Sequence, residues 1–408
     1  MERRCLVLSA SMGAGHDAVA GELARRLRAD GHEVLVRDVL TLLPPGTGAA
    51  MRGFYRFVVR RVPPAYAAIH ALFLAPRPRS GPGPARRGLD VAPLAALAER
   101  RLGALVERWR PDVIVSTFHL AGRITGRMRG RGALRVPCAV FVTDFAVHRA
   151  WLDPGNDLYL CVTGSAARAA RDGTGRTAVA TGPVVPPEFP AAAADGADTE
   201  STQGREGGEG RPVVLLSGGA WGVGPGLLGT ARALARNGFR PVLLCGRDGR
   251  LRRRAARLPG VRALGWTDDM PGLMASARVL VDNAAGQTAV QALAAGVPVI
   301  GYRPIAGHGA AGVREMAAEG LTTYAQGLPE LLAAAGALAR PGDARGRRTA
   351  AASAVFRADA ARLVAGLTDP ADPADLMDLT GPADVMDPPD PADVMGPADP
   401  PDRAGPVA

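Results

Sequence analysis

Strand-like apolar runs alternate with helical stretches twice along this chain, and that double alternation constrains the fold more than any other feature. The first series runs through "CLVLSA", a helix beginning near Asp17, "EVLVRDV", a long arginine-rich insertion, "DVIVST", "CAVFVTD" and "LYLCVT". The second opens at "PVVLLSGGAWGVGPG" and continues through "RPVLLCG", "VRALGW", "ARVLVDNA" and "VPVIGY". A strand that is apolar at every position is covered on both faces, as in a parallel sheet held between layers of helices. The expected fold class is α/β, with two Rossmann-like, doubly wound parallel-sheet domains. Between the two series Pro183, Pro186, Pro187 and Pro190 break the pattern, and the polar, glycine-rich "AAAADGADTESTQGREGGEGR" follows. This division predicts an N-terminal domain over 1–182, a linker over 183–211, a C-terminal domain over 212–368 and a tail over 369–408. The tail repeats Asp, Pro and Ala, holds too little apolar surface to pack, and is expected to be disordered. Ligands of such sheets bind beyond the carboxyl ends of the strands, so two facing domains predict a cleft.

Composition narrows the function classes. A chain of 408 residues, 47% of them apolar, can bury two cores. No run reaches the roughly 18 apolar residues of a membrane span. The first apolar run is short and breaks at glycine, histidine and aspartate, so it reads as a buried strand rather than a signal peptide. Cys5, Cys138, Cys161 and Cys245 are scattered without C-x-x-C spacing, which argues against a disulfide framework or a zinc site and fits a reducing, cytoplasmic setting. All 49 basic residues are arginines and the net charge is +10, although the tail from Thr368 carries ten aspartates and one arginine. The rest of the chain is therefore more basic than the whole and is drawn to phosphate-bearing substrates or anionic surfaces. Between Arg52 and Arg101 ten arginines stand against two acids, interleaved with Phe54, Tyr55, Phe57, Tyr66, Leu72 and Phe73. That mixture suits a lipid headgroup interface, with a solvated loop beside a core helix as the other reading. It contains no nucleic-acid-binding module, so no nucleic-acid partner is expected.

Three loops at strand ends carry the chemistry. "SMGAGHDA" places Gly13, Gly15 and His16 where a strand passes into a helix, and unpaired backbone N–H groups there make an anion site. The same residues fit the dinucleotide pattern G-x-G-x-x-A, with Asp38 as its ribose-binding acid. In the second half Gly218, Gly219, Gly222 and Gly224 form another strand-to-glycine loop. "GWTDDM" sets Trp266 after a short strand, an edge suited to a flat base, with Met270 at its end. Gly286, Gln287 and Thr288 open a helix whose amides can take a diphosphate, with Gln291 one turn further on the same face. Asp144 closes "VTD" at the carboxyl end of a strand, where it either acts as a base or caps the next turn.

"SMGAGH", "PDVIVSTFH", "VTDFAVHRAW", "GWTDDM" and "DNAAGQTAVQALAAGVPVIGYRPIAGHG" resemble, in order over residues 4–340, the monogalactosyldiacylglycerol synthase and processive diacylglycerol glycosyltransferase family. They are more distantly similar to the enzyme that adds N-acetylglucosamine to the peptidoglycan lipid intermediate. The resemblance implies a GT-B glycosyltransferase moving a hexose from a nucleotide-diphosphate sugar, UDP-linked, to a lipid such as diacylglycerol, peripheral to the cytoplasmic membrane face. No cofactor is expected, and no visible ligand cluster requires a metal. His16 or Asp144 is the implied base, with Gly13, Gly15, His119, His148 and Trp151 on the acceptor side. Donor contacts fall to Gly218, Gly219, Gly222 and Gly246, to Arg247, Trp266 and Met270, and to Gly286, Gln287, Thr288, Gln291 and His308. Two departures stand out. Gln291 occupies a position where the family commonly has a ribose-binding glutamate, and "IAGHG" replaces the Pro-Gly-Gln-Glu of plant-type members. They leave open a non-catalytic nucleotide-binding or membrane-interaction protein on the same fold, and a nucleotide-sugar epimerase.

Overall fold

A computed structural model describes residues 2–74, 92–189 and 210–367. The arginine-rich stretch 75–91, most of the expected linker and the acidic tail lie outside the described residues. The first sheet contains β1 (Arg4–Ser9), β2 (Glu33–Asp38), β3 (Val113–Ser116), β4 (Cys138–Val142), β5 (Leu158–Cys161) and β6 (Thr177–Ala180), in the order β2-β1-β3-β4-β5-β6. The second contains β7 (Val213–Ser217), β8 (Arg240–Leu244), β9 (Arg262–Leu264), β10 (Val279–Asp282), β11 (Val299–Tyr302) and β12 (Thr322–Ala325), in the order β12-β11-β10-β7-β8-β9. Every pairing is parallel; Val7 lies opposite Val36 on one side and Val115 on the other. Strands β3, β4, β5 and β7 are buried at every position, as continuous apolar runs require. This is the expected pair of doubly wound domains.

Helices matter here for what they place at the strand ends. They are α1 (Ala14–Ala29), α2 (Thr47–Arg61), α3 (Pro63–Ile69), α4 (Gln287–Ala294), α5 (His308–Ala318) and α6 (Ala360–Gly366). Each sheet reverses its strand order once, between β1 and β3 in the first and between β7 and β10 in the second. At such a reversal the connections leave in opposite directions and open a crevice at the carboxyl edge. Helices α1 and α4 begin at these two crevices.

The domains are joined by more than one crossing. A continuous buried apolar cluster passes through Val184, Val185 and Phe189 and unites residues of both sheets. Helix α6 returns to pack on α1 and β3, where Arg3 donates to the Leu367 carbonyl at 2.7 Å and Arg26 pairs with Asp359 at 3.5 Å. Helices α2 and α3 also reach over to the second domain: Val58, Val59 and Tyr66 pack with Val223 and Ile305, and Arg60 pairs with Asp248. No described helix is long and apolar enough to cross a membrane.

Candidate active site

A cleft of about 900 Å³ lies along the carboxyl edges of both sheets, between the two reversal points. Gly13, Gly15 and His16 line it from the first domain, and Gly218, Gly219, Gly286, Gln287 and Thr288 from the second. The two loops nearly touch: a Cβ built on Gly15 would lie 3.7 Å from the Gln287 Cβ. The N-terminal ends of α1 and α4 therefore face one space, and their unpaired amides and dipoles favour an anion there.

His16 is oriented by the strand on the far side of the reversal. Its Nδ1 lies 2.9 Å from the Thr117 carbonyl, just beyond β3, and 3.2 Å from the Thr143 hydroxyl beyond β4. A carbonyl only accepts, so Nδ1 carries the proton and Nε2 presents its lone pair. The Thr117 hydroxyl donates back to the His16 carbonyl at 3.2 Å. Phe118 packs edge-on against the ring, with centroids 4.9 Å apart. Burial lowers the pKa of His16, while the charge of Asp144 opposes the shift. The ring rests neutral, beside a carboxylate that would stabilise it once protonated.

Asp144 has a different task from a free base. Burial would raise its pKa, but the hydrogen bonds from His148 and from the Trp151 indole hold the carboxyl well below its usual range. The indole N–H donates to Oδ2 at 2.8 Å, and His148 Nε2 lies 3.4 Å from the same oxygen. Five of the six histidines, His16, His70, His119, His148 and His308, feel this carboxylate or pair with it. Burial and its neighbouring imidazoles push His70 down to about 4. Burial and the neighbouring histidines also hold His119 well below its ordinary value.

The walls carry orphaned polar atoms. The Nδ1 atoms of His119 and His148, the Trp221 indole nitrogen and the Gln287 side-chain nitrogen are buried without a hydrogen-bond partner. All four residues line the cleft. Buried polar atoms are seldom left unpaired in a finished interior, so these four mark a surface that a polar ligand completes.

Several predicted positions meet in this cleft, among them His119, His148, Gly246, Trp266, Met270, Gln291 and His308. Three do not. Trp151 is fully buried behind Asp144, so it is a support for that carboxylate and not part of the acceptor wall. Gly222 sits at φ +63°, and a Cβ there would come within 2.7 Å of Asp248 and of the Cys245 carbonyl; it serves loop packing. Arg247 is exposed and lies over the Trp266 ring at 4.1 Å, which fixes one face of that indole. Gly246, although at the cleft, is required by backbone contact, since a Cβ would fall 2.3 Å from the Gly219 carbonyl oxygen. Asp38, the acid of the dinucleotide pattern, is engaged by the Ser11 hydroxyl at 2.5 Å and by the Leu40 amide at 2.9 Å.

Other residues matter without a motif to announce them. Asp282, at the end of β10, accepts from the amides of Ala284 and Ala285 at 2.9 and 2.7 Å and so shapes the turn that starts α4. Ala285 is held there at φ +51°. Trp221 stands alone among the glycines of "GGAWGVG", and Arg56 of α2 lies 5.5 Å from its ring centroid. A bulky aromatic in a glycine loop was the available signal. Thr117 had none, and Tyr66, grouped by the sequence with the lipid-facing aromatics, is instead buried against the second domain.

Comparison with known proteins places this geometry. Residues 16–185 match the family model described as monogalactosyldiacylglycerol (MGDG) synthase. The chain is 26% identical over 219 residues to the processive diacylglycerol beta-glucosyltransferase of Bacillus subtilis (strain 168), a match spanning 52% of this chain and 56% of that one. It is 25% identical to the chloroplastic monogalactosyldiacylglycerol synthase of Spinacia oleracea, over 81% of this chain and 65% of that one. Each match thus spans less than two thirds of the relative's own length. Among solved structures, Acinetobacter baumannii MurG superposes with a TM-score of 0.54 at 15% identity, over 87% of this chain and 94% of that one. The architecture is GT-B.

Proposed function

From a GT-B chain whose residues 16–185 carry the monogalactosyldiacylglycerol synthase signature, we propose a hexosyltransferase that moves sugar from a nucleotide-diphosphate donor, UDP-linked, to a lipid hydroxyl such as that of diacylglycerol. The observation that carries this reading is the pairing of a neutral, carbonyl-anchored His16 with the N-terminus of α4 across one cleft. The named relatives act on diacylglycerol or make its galactolipid, which supports the choice of acceptor.

In this reading the acceptor hydroxyl gives its proton to Nε2 of His16 as its oxygen bonds to the anomeric carbon. The bond from that carbon to the diphosphate oxygen breaks, and its electron pair leaves with the phosphate. Attack opposite the leaving group inverts the anomeric centre. The amides at Gly286–Thr288 receive the departing charge, as preorganised dipoles do best where water is excluded. Asp144 stays ionised and stabilises the imidazolium formed at His16. Trp266 offers its face to the base, and Gln291 accepts and donates at the ribose hydroxyls. Gln291 lies on the second turn of α4, within the cleft.

The lipid side falls to the insertion. Phe54 and Phe57 are 59% and 58% exposed, Leu72 is 59% exposed, and arginines flank them. This face suits an anionic headgroup layer, and the four free, buried cysteines suit the reducing, cytoplasmic side of a membrane.

Incubating the purified chain with a panel of labelled nucleotide sugars and lipid extract tests the reading. A labelled lipid with an inverted linkage is expected. Release of free or epimerised sugar nucleotide with no labelled lipid would overturn it.

A further inference from the structure

We propose that Tyr66 is a positioning residue: its phenol donates to Nδ1 of His308 and fixes that ring with its proton on Nε2, directed at an oxygen of the donor sugar. The claim rests on the sugar-transfer reading for the identity of the ligand and on the geometry for the tautomer. Tyr66 belongs to α3 in the first domain, and His308 opens α5 in the second. Their Oη and Nδ1 atoms lie 2.5 Å apart. Two groups compete for the phenol proton, the Tyr55 hydroxyl and His308 Nδ1; the neutral imidazole nitrogen is much the stronger base, so Tyr66 donates to it and accepts from Tyr55. Tyr66 is buried, and burial followed by its neighbour Tyr55 pushes its ionisation far up, so the phenol keeps its proton. With Nδ1 accepting, the only proton of a neutral His308 is on Nε2, and His308 lines the cleft. Burial lowers the pKa of His308, which keeps the ring in that neutral form.

The consequence is a pair of histidines in opposite tautomers. His16 faces a carbonyl and offers a lone pair, while His308 faces a phenol and offers an N–H. One suits a hydroxyl that must lose a proton, and the other a sugar oxygen that must be held. The contact also crosses the cleft. Gly307 sits at φ +81°, and a Cβ there would come within 3.0 Å of His70 and 3.2 Å of the Tyr66 ring. The start of α5 is thus pressed against the insertion, and His308 acquires its tautomer only with the two domains together. The contrary relay, with Nδ1–H donating to Tyr66 and Tyr66 to Tyr55, would leave Nε2 of His308 without a proton.

Imidazole nitrogen NMR on the full chain separates the two relays. The His308 resonance is assigned by its disappearance in His308→Gln. The expected spectrum shows His308 protonated at Nε2 and His16 at Nδ1, and Tyr66→Phe, which keeps the ring, mixes the tautomers of His308 while leaving His16 unchanged. Protonation of His308 at Nδ1 in the parent, or an unaltered His308 in Tyr66→Phe, overturns the proposal. In transfer assays Tyr66→Phe should raise KM for the nucleotide sugar about tenfold with UDP affinity unchanged, and have no further effect in a His308→Ala background. An active parent whose KM is insensitive to Tyr66→Phe also overturns it. If the parent shows the expected tautomers yet transfers no sugar, the relay stands and the transfer reading is the part that fails.

Discussion

At His16 the sign of the pKa shift decides the role. Because burial lowers the value below the ordinary 6.5, the ring is already neutral at pH 7 and the rate should hold its plateau somewhat below pH 6.5 before protonation removes the base. His16→Ala should lower turnover about 100-fold while leaving UDP affinity nearly intact, since the donor is held mainly by the second domain. Gln291→Ala should do the reverse, weakening UDP by about 1–2 kcal/mol in calorimetry with less effect at saturating donor. Trp151→Phe tests the support of Asp144. It removes one hydrogen bond to a charged group, keeps most of the packing, and should destabilise the fold by about 2 kcal/mol in urea unfolding while lowering turnover. An unchanged unfolding midpoint would show that the indole N–H does not hold the carboxylate.

Helix α2 has two faces with different duties. Val58 and Val59 turn inward to meet Val223 and Ile305, whereas Phe54 and Phe57 point to solvent. Phe54 stands one turn before Val58 and lines the rim of the cleft with it, so the exposed strip of Phe54 and Phe57 borders the buried valines. If the outer face docks on lipid, the chain should co-sediment with anionic vesicles at low salt and release as salt rises. The double variant Phe54→Ser, Phe57→Ser should weaken that binding without shifting the melting temperature. Equal binding of the parent to neutral and anionic vesicles would contradict the arrangement. Among the glycine loops, backbone approach is divided as well. Gly15 meets the second domain across the cleft, while Gly222 and Gly246 are consumed by contacts between loops.

For the whole molecule, the histidine cluster ties stability to pH. His16, His70, His119 and His308 all titrate lower in the folded chain than the ordinary 6.5, His70 near 4. Below pH 6.5 the unfolded state therefore binds protons that the folded state refuses, and each such group costs about 1.4 kcal/mol per pH unit until its folded value is reached. Melting temperature should be level above pH 7 and fall steeply toward pH 4. His70→Gln, which removes one of these groups, should make that fall shallower in calorimetric scans. A parent whose melting temperature is flat from pH 7 to 5 would show that the cluster protonates without resistance.

Much of this was legible in the sequence, because it depends on patterns along the chain. Continuous apolar runs between helical stretches dictate buried parallel strands, and the glycine loops that end them fall at the strand edges wherever the sheet is placed. His16, Asp144, Gln287 and Gln291 could be picked out for that reason. Their partners could not. Strand order decides that Thr117, a hundred residues from His16, supplies the carbonyl that sets its tautomer, and a buried indole's single N–H turns Trp151 from a wall into a support. Tyr66 and His308 are 242 residues apart and meet only because the insertion of one domain crosses to the other. Local pattern determines which groups stand at a strand edge, but hydrogen-bond direction and burial depend on what lies within about 3 Å, and tertiary structure alone decides that.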